Sequence, residues 1–225
     1  MNAVLNFVGD IALFRRYEEM GIDPIKSIDL PIADCHIGNF EFVVPQDKKK
    51  QFFDVQDKYT CHPIYVEGIS LEKFSLLGLA NNHALDYGVE GLKDTISLLE
   101  KKGSVCFGVC ENGNFDVCRF SVNGIDFVIL GVTKKGRWDK EKWGYGPNAY
   151  NKEELLAIIP RLSKEVDHVI IFPHWGTELV SLPDPNDVHN AREFIVAGAS
   201  AVIGHHPHVP QGVEVFCKGD RKSVV

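Results

Sequence analysis

The sequence predicts an α/β fold, and two observations support this prediction. Short apolar runs with the spacing of strands alternate with stretches of helical periodicity along the chain of 225 residues. Polar residues that can bind a metal ion follow several of these strands, as is typical of ligand sites in open α/β sheets. The length fits one large domain, and 44% hydrophobic residues can fill its core. We therefore expect a single domain over residues 1–225.

The first half of the chain contains four predicted strands and one predicted helix. The helix is expected over residues 88–102, where apolar residues from Val89 to Leu99 recur in steps of three and four. The sequence between residues 42 and 63 is polar and lacks periodicity, which indicates a long loop. The strands are expected at residues 3–8, 34–37, 74–79 and 105–109.

The second half begins with a predicted β-hairpin. Asn123-Gly124 separates two alternating apolar runs, and both positions of such a turn favour residues that tolerate positive φ. A helix is expected over residues 153–166, with a kink or a restart at Pro160, and another over residues 187–197. The strands are expected at residues 115–122, 125–132, 168–172 and 201–203, with a last hairpin at 211–217 and 221–225.

The composition argues against several functions. The formal net charge is −7 and no long basic run occurs, which argues against nucleic acid as a partner. The six cysteines include no CxxC pair, so free thiols in a reducing compartment are expected. The sequence has no apolar run of about 18 residues and no signal peptide before the first strand. We therefore expect a cytoplasmic protein without a membrane segment.

Metal-binding residue types recur at the ends of the predicted strands. Each of them alone also has a structural explanation, such as a turn or a helix cap. Their recurrence at strand after strand, together with three histidines within four residues, favours a metal site. These residues are Asp10, Asn39, Glu41, Asn82, His83, His174, His205, His206 and His208.

Five motifs occur in order along the chain: Gly9-Asp10, Asn39-Phe40-Glu41, Ala80 to Gly88, His174 to Glu178, and Gly204 to Val209. Together they resemble the bacterial capsule-synthesis CapA family, which is part of the calcineurin-like metallophosphatase superfamily. The resemblance covers almost the whole chain. It implies a sandwich of two mixed β-sheets flanked by helices, and a role in the production of poly-γ-glutamate or capsule polysaccharide.

The chain departs from the superfamily pattern at its start and at its end. The first superfamily motif is Asp-x-His, but the position of that histidine is occupied by Ala12. One metal ligand is therefore missing or supplied by another residue. The family also continues past the last predicted hairpin, whereas this chain stops there, so we expect the natural protein to extend beyond Val225.

The resemblance also assigns roles to individual residues. Asp10 and Glu41 would be carboxylate ligands, with Glu41 bridging two ions, and His83 would be the general acid that protonates the leaving group. Two manganese, zinc or iron ions about 3.5–4 Å apart would activate water for attack on a phosphate ester. The other metal ligands would be Asn82, His174, His206 and His208. Residues that orient ligands or contact the substrate would be Asn39, Asn81, Asp86, Glu178, His205, Lys134 and Arg137.

Two local patterns refine this assignment. Side chains of an extended segment alternate, so His206 and His208 are expected on the same side and His205 on the other. The loop over residues 134–150 combines cations with aromatic residues beside a strand end. Such a loop could bind a phosphorylated sugar or lipid, or an acidic polymer.

Three functions remain open at the level of sequence. The first is a metal-dependent phosphoesterase in capsule, poly-γ-glutamate or envelope polysaccharide biosynthesis. The second is a non-catalytic assembly or export factor that binds an anionic polymer. The third is a metal-dependent amide hydrolase that cleaves γ-glutamyl bonds, since the same ions would activate water for that reaction.

Overall fold

Two β-sheets pack face to face and share one apolar layer in this computed structural model. Ile37 and Phe107 of one sheet contact this layer from one side, and Ile129 and Phe172 of the other sheet contact it from the opposite side. The rings of Phe107 and Phe172 meet edge to face with their centroids 5.3 Å apart. The predicted α/β sandwich is therefore confirmed. The structure describes residues 2–47, 60–111, 115–136, 144–218 and 221–224.

The first sheet contains four strands that are parallel throughout, in the order β1-β2-β3-β4. Parallel strands place all their carboxyl ends at one edge, so the residues that follow them come together there. Asp10 of β1 is paired with Asn39 of β2, which brings two of the predicted site residues side by side. The strands are β1 (Leu5–Ile11), β2 (Cys35–Phe40), β3 (Leu76–Gly78) and β4 (Val105–Phe107).

The second sheet is mixed and contains six strands, in the order β11-β12-β10-β9-β7-β6. Its centre is the parallel pair β7 and β9, in which Thr133 is paired with His174. The predicted turn at Asn123-Gly124 joins β6 to β7, and both residues have positive φ. The strands are β6 (Cys118–Val122), β7 (Ile125–Thr133), β9 (His168–His174), β10 (Ala201–Val202), β11 (Val215–Lys218) and β12 (Arg221–Val224). β5 (Val109–Glu111) and β8 (Tyr145–Pro147) form a separate two-stranded sheet.

Helices cover the outer faces of both sheets. Leu92 and Leu99 of α3 are fully buried against the first sheet, and Leu155 and Phe194 pack against the second from α4 and α5. In the described part of the chain, no helix is both long enough and apolar enough to cross a membrane. The helices are α1 (Arg15–Met20), α2 (Pro63–Glu67), α3 (Gly88–Lys101), α4 (Lys152–Leu162) and α5 (Pro185–Ala197), with a 3₁₀ turn at Leu71–Lys73.

Several element boundaries differ from those expected. The strand expected at residues 105–109 is two strands, because Gly108 adopts a φ of +84° and breaks the extended backbone. The helix expected to reach residue 166 continues through Pro160 and ends at Leu162. The short helix α2, which the sequence did not predict, begins at Pro63, where the expected loop ends. The strands β1, β2 and β9 run two or three residues further than expected, so Asp10, Asn39 and His174 are strand residues themselves.

Candidate metal centre

The carboxylate of Glu41 lies at the centre of the candidate site. Its side chain is only 3% exposed, and neither oxygen has a hydrogen-bond partner among the described residues. Oε1 lies 3.4 Å from Nε2 of His174 and 3.8 Å from Nε2 of His208. Burial and the negative charge of Asp10 raise the pKa of Glu41 to about 8. A buried carboxylate without a partner is costly, so this group requires a cation or a proton.

Asp10 is held by an amide network at the edge of the first sheet. Asn39 donates from Nδ2 to Oδ1 of Asp10 over 2.7 Å, and its own Oδ1 accepts from Asn81. Oδ2 of Asp10 lies 2.9 Å from Nδ1 of His208. Burial would raise the pKa of Asp10, but the Asn39 hydrogen bond and the neighbouring histidines outweigh it and lower that pKa. Asp10 is therefore an oriented carboxylate that stays ionised.

The imidazoles of His174 and His206 are neutral at ordinary pH. Burial lowers the pKa of His174 to about 3 and that of His206 to about 4. The charge of Lys135 acts in the same direction on both rings. Nε2 of His174 lies 2.7 Å from Oδ1 of Asn82, which brings the predicted amide ligand against the predicted imidazole ligand. Neutral imidazole is the form that binds metal ions.

Among the described residues, three groups could each hold a metal ion, and the ligand atoms within each group lie within 4.8 Å of one another. The first contains Glu41, His174 and His206; the second contains Asp10, Glu41 and His208; the third contains Glu178, His206 and His208. The six metal ligands proposed from the sequence are therefore brought together in one cluster, because Asn82 contacts His174. Buried acceptors without partners, neutral imidazoles and an amide oxygen form a donor set that suits manganese, iron or zinc.

His83 and Asp86 form a separate pair at the edge of this cluster. Nδ1 of His83 lies 2.7 Å from Oδ2 of Asp86, and the Asp86 side chain is largely buried. Burial alone would lower the pKa of His83, but the hydrogen bond and the charge of Asp86 outweigh burial and raise that pKa. Asp86 therefore supports the proposed general acid, rather than the imidazole of a metal ligand.

The loop that carries His206 and His208 differs from the extended segment expected. Both residues have positive φ, +97° and +56°, so the segment is a tight turn and not a strand. Their rings still lie 5.8 Å apart, because the turn directs both towards the cleft. His205 faces the core instead: its ring centroid is 3.9 Å from that of Phe172, and Nε2 is 3.4 Å from the carbonyl oxygen of Val8. The prediction that His206 and His208 lie on one side and His205 on the other is therefore confirmed, although a turn and not an extended strand produces this arrangement.

One of the two cations predicted as site residues in the loop over residues 134–150, Lys134, forms its contacts outside the cluster. The ammonium of Lys134 pairs with Asp187 and lies over the rings of Tyr150 and Trp175, which ties the loop to α5. Arg137 lies outside the described residues. The neighbouring Lys135, which the sequence did not distinguish from the rest of the loop, is the cation whose charge acts on His174 and His206. The pairing of β7 with β9, which places Thr133 beside His174, is what brings Lys135 close to these imidazoles.

Comparison with known proteins identifies the family of this chain. The family model described as "Bacterial capsule synthesis protein PGA_cap" matches residues 4–225. The chain belongs to this capsule synthesis family. Within the family, the chain is 32% identical to the "PGA biosynthesis protein CapA" of Bacillus subtilis (strain 168), over 94% of this chain and 59% of that protein. It is 31% identical to the "Capsule biosynthesis protein CapA" of Bacillus anthracis, over 96% of this chain and 56% of that protein.

Two more distant matches extend the comparison, one in sequence and one in structure. The "Probable polyglutamine synthesis accessory protein Rv0574c" of Mycobacterium tuberculosis (strain ATCC 25618 / H37Rv) is 28% identical over 70% of this chain and 46% of that protein. A putative 5'-nucleotidase from Staphylococcus aureus, solved with alpha-ketoglutarate, superimposes with a TM-score of 0.55 at 15% identity, over 98% of this chain and 48% of that one. The chain thus has the metallophosphoesterase fold, and it spans little more than half the length of the two CapA relatives.

Proposed function

We propose that this capsule synthesis family member is a metal-dependent phosphoesterase that acts in the biosynthesis of a capsule, poly-γ-glutamate or envelope polysaccharide. The observation that carries the proposal is Glu41, a buried carboxylate with no hydrogen-bond partner among the described residues, close to the neutral imidazole of His174. Such a group is costly in the metal-free protein and fits a ligand shared by two ions. The fold, which is that of a putative 5'-nucleotidase, supports the phosphate ester as substrate class.

The protein's own residues would contribute binding and proton transfer. Asp10, Glu41 and His208 would hold one ion, and Glu41, Asn82, His174 and His206 the other. Bound as a pair, such ions lower the pKa of a shared water and neutralise phosphoryl oxygens. The Asp86 carboxylate keeps Nδ1 of His83 protonated, so Nε2 of the imidazolium can donate a proton to the leaving alkoxide.

The substrate is expected to be anionic, and one cation near the cluster supports this. No ion pair or hydrogen bond of the Lys135 ammonium is found among the described residues, whereas the ammonium of Lys134 is neutralised by Asp187. The chain carries a net charge of −7, so a positive charge without a partner beside the cleft provides local attraction for an anion. A phosphorylated sugar or lipid, or an acidic polymer, has the complementary charge.

A second candidate function is an assembly factor that binds an acidic polymer without cleaving it. The name of the mycobacterial relative, which describes an accessory protein, favours this alternative, and so does Ala12 in place of a superfamily ligand. Hydrolysis of γ-glutamyl amide bonds is a third candidate, because it would use the same activated water.

One set of assays separates these functions. The purified protein, loaded with Mn²⁺, is tested on phosphomonoester, phosphodiester and γ-glutamyl substrates beside the variant His83→Ala. Loss of the general acid is expected to reduce phosphoesterase kcat about 10²–10⁴-fold without loss of bound metal. The matched control is His189→Ala, which removes a 70% exposed histidine of α5 that pairs with Glu193.

Each outcome of these assays supports a different one of the three candidate functions. Turnover of a phosphate ester that falls in His83→Ala but not in His189→Ala supports the phosphoesterase. Metal binding without turnover of any substrate contradicts it and favours the assembly factor. Turnover of the γ-glutamyl substrate alone would replace both proposals with the amide hydrolase.

A further inference from the structure

The three groups of ligand atoms share residues in a way that restricts how ions can be placed. Glu41 belongs to the first two groups, His206 to the first and third, and His208 to the second and third. A carboxylate has two oxygens and readily bridges two ions, whereas a neutral imidazole offers one lone pair to one ion. Glu41 can therefore be shared, but His206 and His208 each bind a single ion. The three groups therefore cannot each hold an ion of their own. If Glu178 is a ligand, it binds one of the two ions that the other groups hold.

Counting ligands for the two ions shows where a position remains open. The first ion has four candidate ligands: Glu41, Asn82, His174 and His206. The second ion has three, because Ala12 stands where the superfamily pattern has a histidine. Four protein donors complete a tetrahedral shell, and three leave it incomplete. The second ion is therefore the one that lacks a ligand.

The position of Glu178 fits a ligand better than it fits a hydrogen-bond acceptor. Its Oε1 lies 3.9 Å from Nε2 of His206, which is too long for a hydrogen bond. Glu178 therefore does not orient His206 through a hydrogen bond. A carboxylate oxygen of Glu178 also lies within 4.8 Å of a ring nitrogen of His208, the imidazole of the second ion.

The loop that carries Glu178 is fixed against the loop that carries the histidines. The amide of Leu179 donates to the carbonyl of Pro207 over 2.8 Å, and the amide of Trp175 donates to that of His205 over 3.1 Å. Gly176 adopts a φ of +86°, and a Cβ there would lie 3.1 Å from the Pro207 ring. Glu178 thus stands on a backbone that is held on both sides, while its side chain is 58% exposed and free to turn towards an ion.

The geometry points to Glu178 as the fourth protein ligand of the second ion, in place of the histidine that Ala12 replaces. The inference rests on the proposed metal centre. The second ion would then be bound by Asp10, Glu41, Glu178 and His208, and the first by one carboxylate, one amide and two imidazoles. Carboxylate-rich shells suit manganese better than zinc, so the two positions would differ in metal preference.

Metal content and spectroscopy test this assignment without reference to turnover. The full chain is stripped with a chelator, reconstituted with Mn²⁺, desalted, and analysed by elemental mass spectrometry and by electron paramagnetic resonance. The wild-type protein is expected to hold two ions per chain and to show a spin-coupled pair. Glu178→Ala is expected to hold one ion with the spectrum of isolated Mn²⁺. The control Glu90→Ala, which removes a 69% exposed carboxylate on α3, is expected to match the wild type.

Alanine removes both carboxylate oxygens and offers no amide oxygen in their place. Because Glu178 Oε1 is too far from His206 for a hydrogen bond, a residue that is not a ligand would leave two coupled ions in Glu178→Ala. That result would overturn the inference and leave the proposed function intact. A wild-type protein without bound metal would overturn the metal centre itself. Thermal unfolding of both metal-free variants checks that each is folded.

Discussion

Two buried polar clusters lie close together in this fold, and they differ in how their polar atoms are satisfied. Asn148 is almost fully buried and donates from Nδ2 to the carbonyls of Gly131 and Asp116, while its Oδ1 accepts from the amide of Asp116. Glu41 is equally buried, yet neither of its oxygens has a partner among the described residues. A buried cluster whose polar atoms are all hydrogen-bonded stabilises the fold. A buried cluster whose acceptors lack hydrogen bonds indicates a binding site for a ligand. The metal centre and the Asn148 cluster are thus distinguished by their hydrogen bonds and not by their burial.

The largest expected effect on stability is at the satisfied cluster. Asn148→Leu keeps the side-chain volume but leaves two carbonyls and one amide buried without partners, at about 1–3 kcal/mol each. We expect the variant to lose about 4 kcal/mol of unfolding free energy in urea and to keep the same metal content once folded. A loss of metal with unchanged stability would mean that the two clusters are not distinct.

A smaller effect, which depends on pH, is expected at Glu41 in the chelator-treated protein. The pKa of Glu41 is raised from 4.5 to about 8, so the folded state binds a proton that the unfolded state releases as pH rises between those values. The contribution of Glu41 to the free energy of unfolding is therefore fully present below about pH 4.5 and is lost as the pH rises to about 8. Because glutamine does not titrate, Glu41→Gln is expected to become more stable relative to the wild type across this range, by a few kcal/mol.

Urea titrations at several pH values measure this difference. Comparison of the two proteins cancels the titration of the buried histidines, which both retain. A stability difference between wild type and Glu41→Gln that does not change from pH 4.5 to pH 8 would contradict the account of an unpartnered carboxylate.

The sequence predicted most of the fold because its strands and helices follow local rules. The hairpin at Asn123-Gly124 and the helix at 88–102 were confirmed nearly at their expected boundaries, since turn chemistry and apolar periodicity are local properties. The break at Gly108 could not be foreseen. Its positive φ depends on tertiary packing, because Gly108 lies so close to Ala80 that a Cβ at position 108 would be 3.0 Å from the Cβ of Ala80.

The candidate site was predicted less completely, because its contacts are set by loops and by register. Asp10, Glu41 and the histidines could be grouped from their places at strand ends. Lys134 and Lys135 are adjacent and chemically identical, and only the pairing of Thr133 with His174 decides which one lies beside the imidazoles. The partnership of His83 with Asp86 likewise needs the turn that brings residues three apart within 2.7 Å.

The metal content of the wild type and of Glu41→Gln tests the central claim most directly. After chelation, reconstitution with Mn²⁺ and desalting, we expect two ions per chain in the wild type, and at most one weakly held ion in Glu41→Gln, because the shared carboxylate is lost. Loss of metal from Glu41→Gln would not be due to unfolding, since this variant is expected to be at least as stable as the metal-free wild type at neutral pH. A wild-type protein that holds no ion, or a Glu41→Gln protein that holds two as tightly as the wild type, would contradict the account.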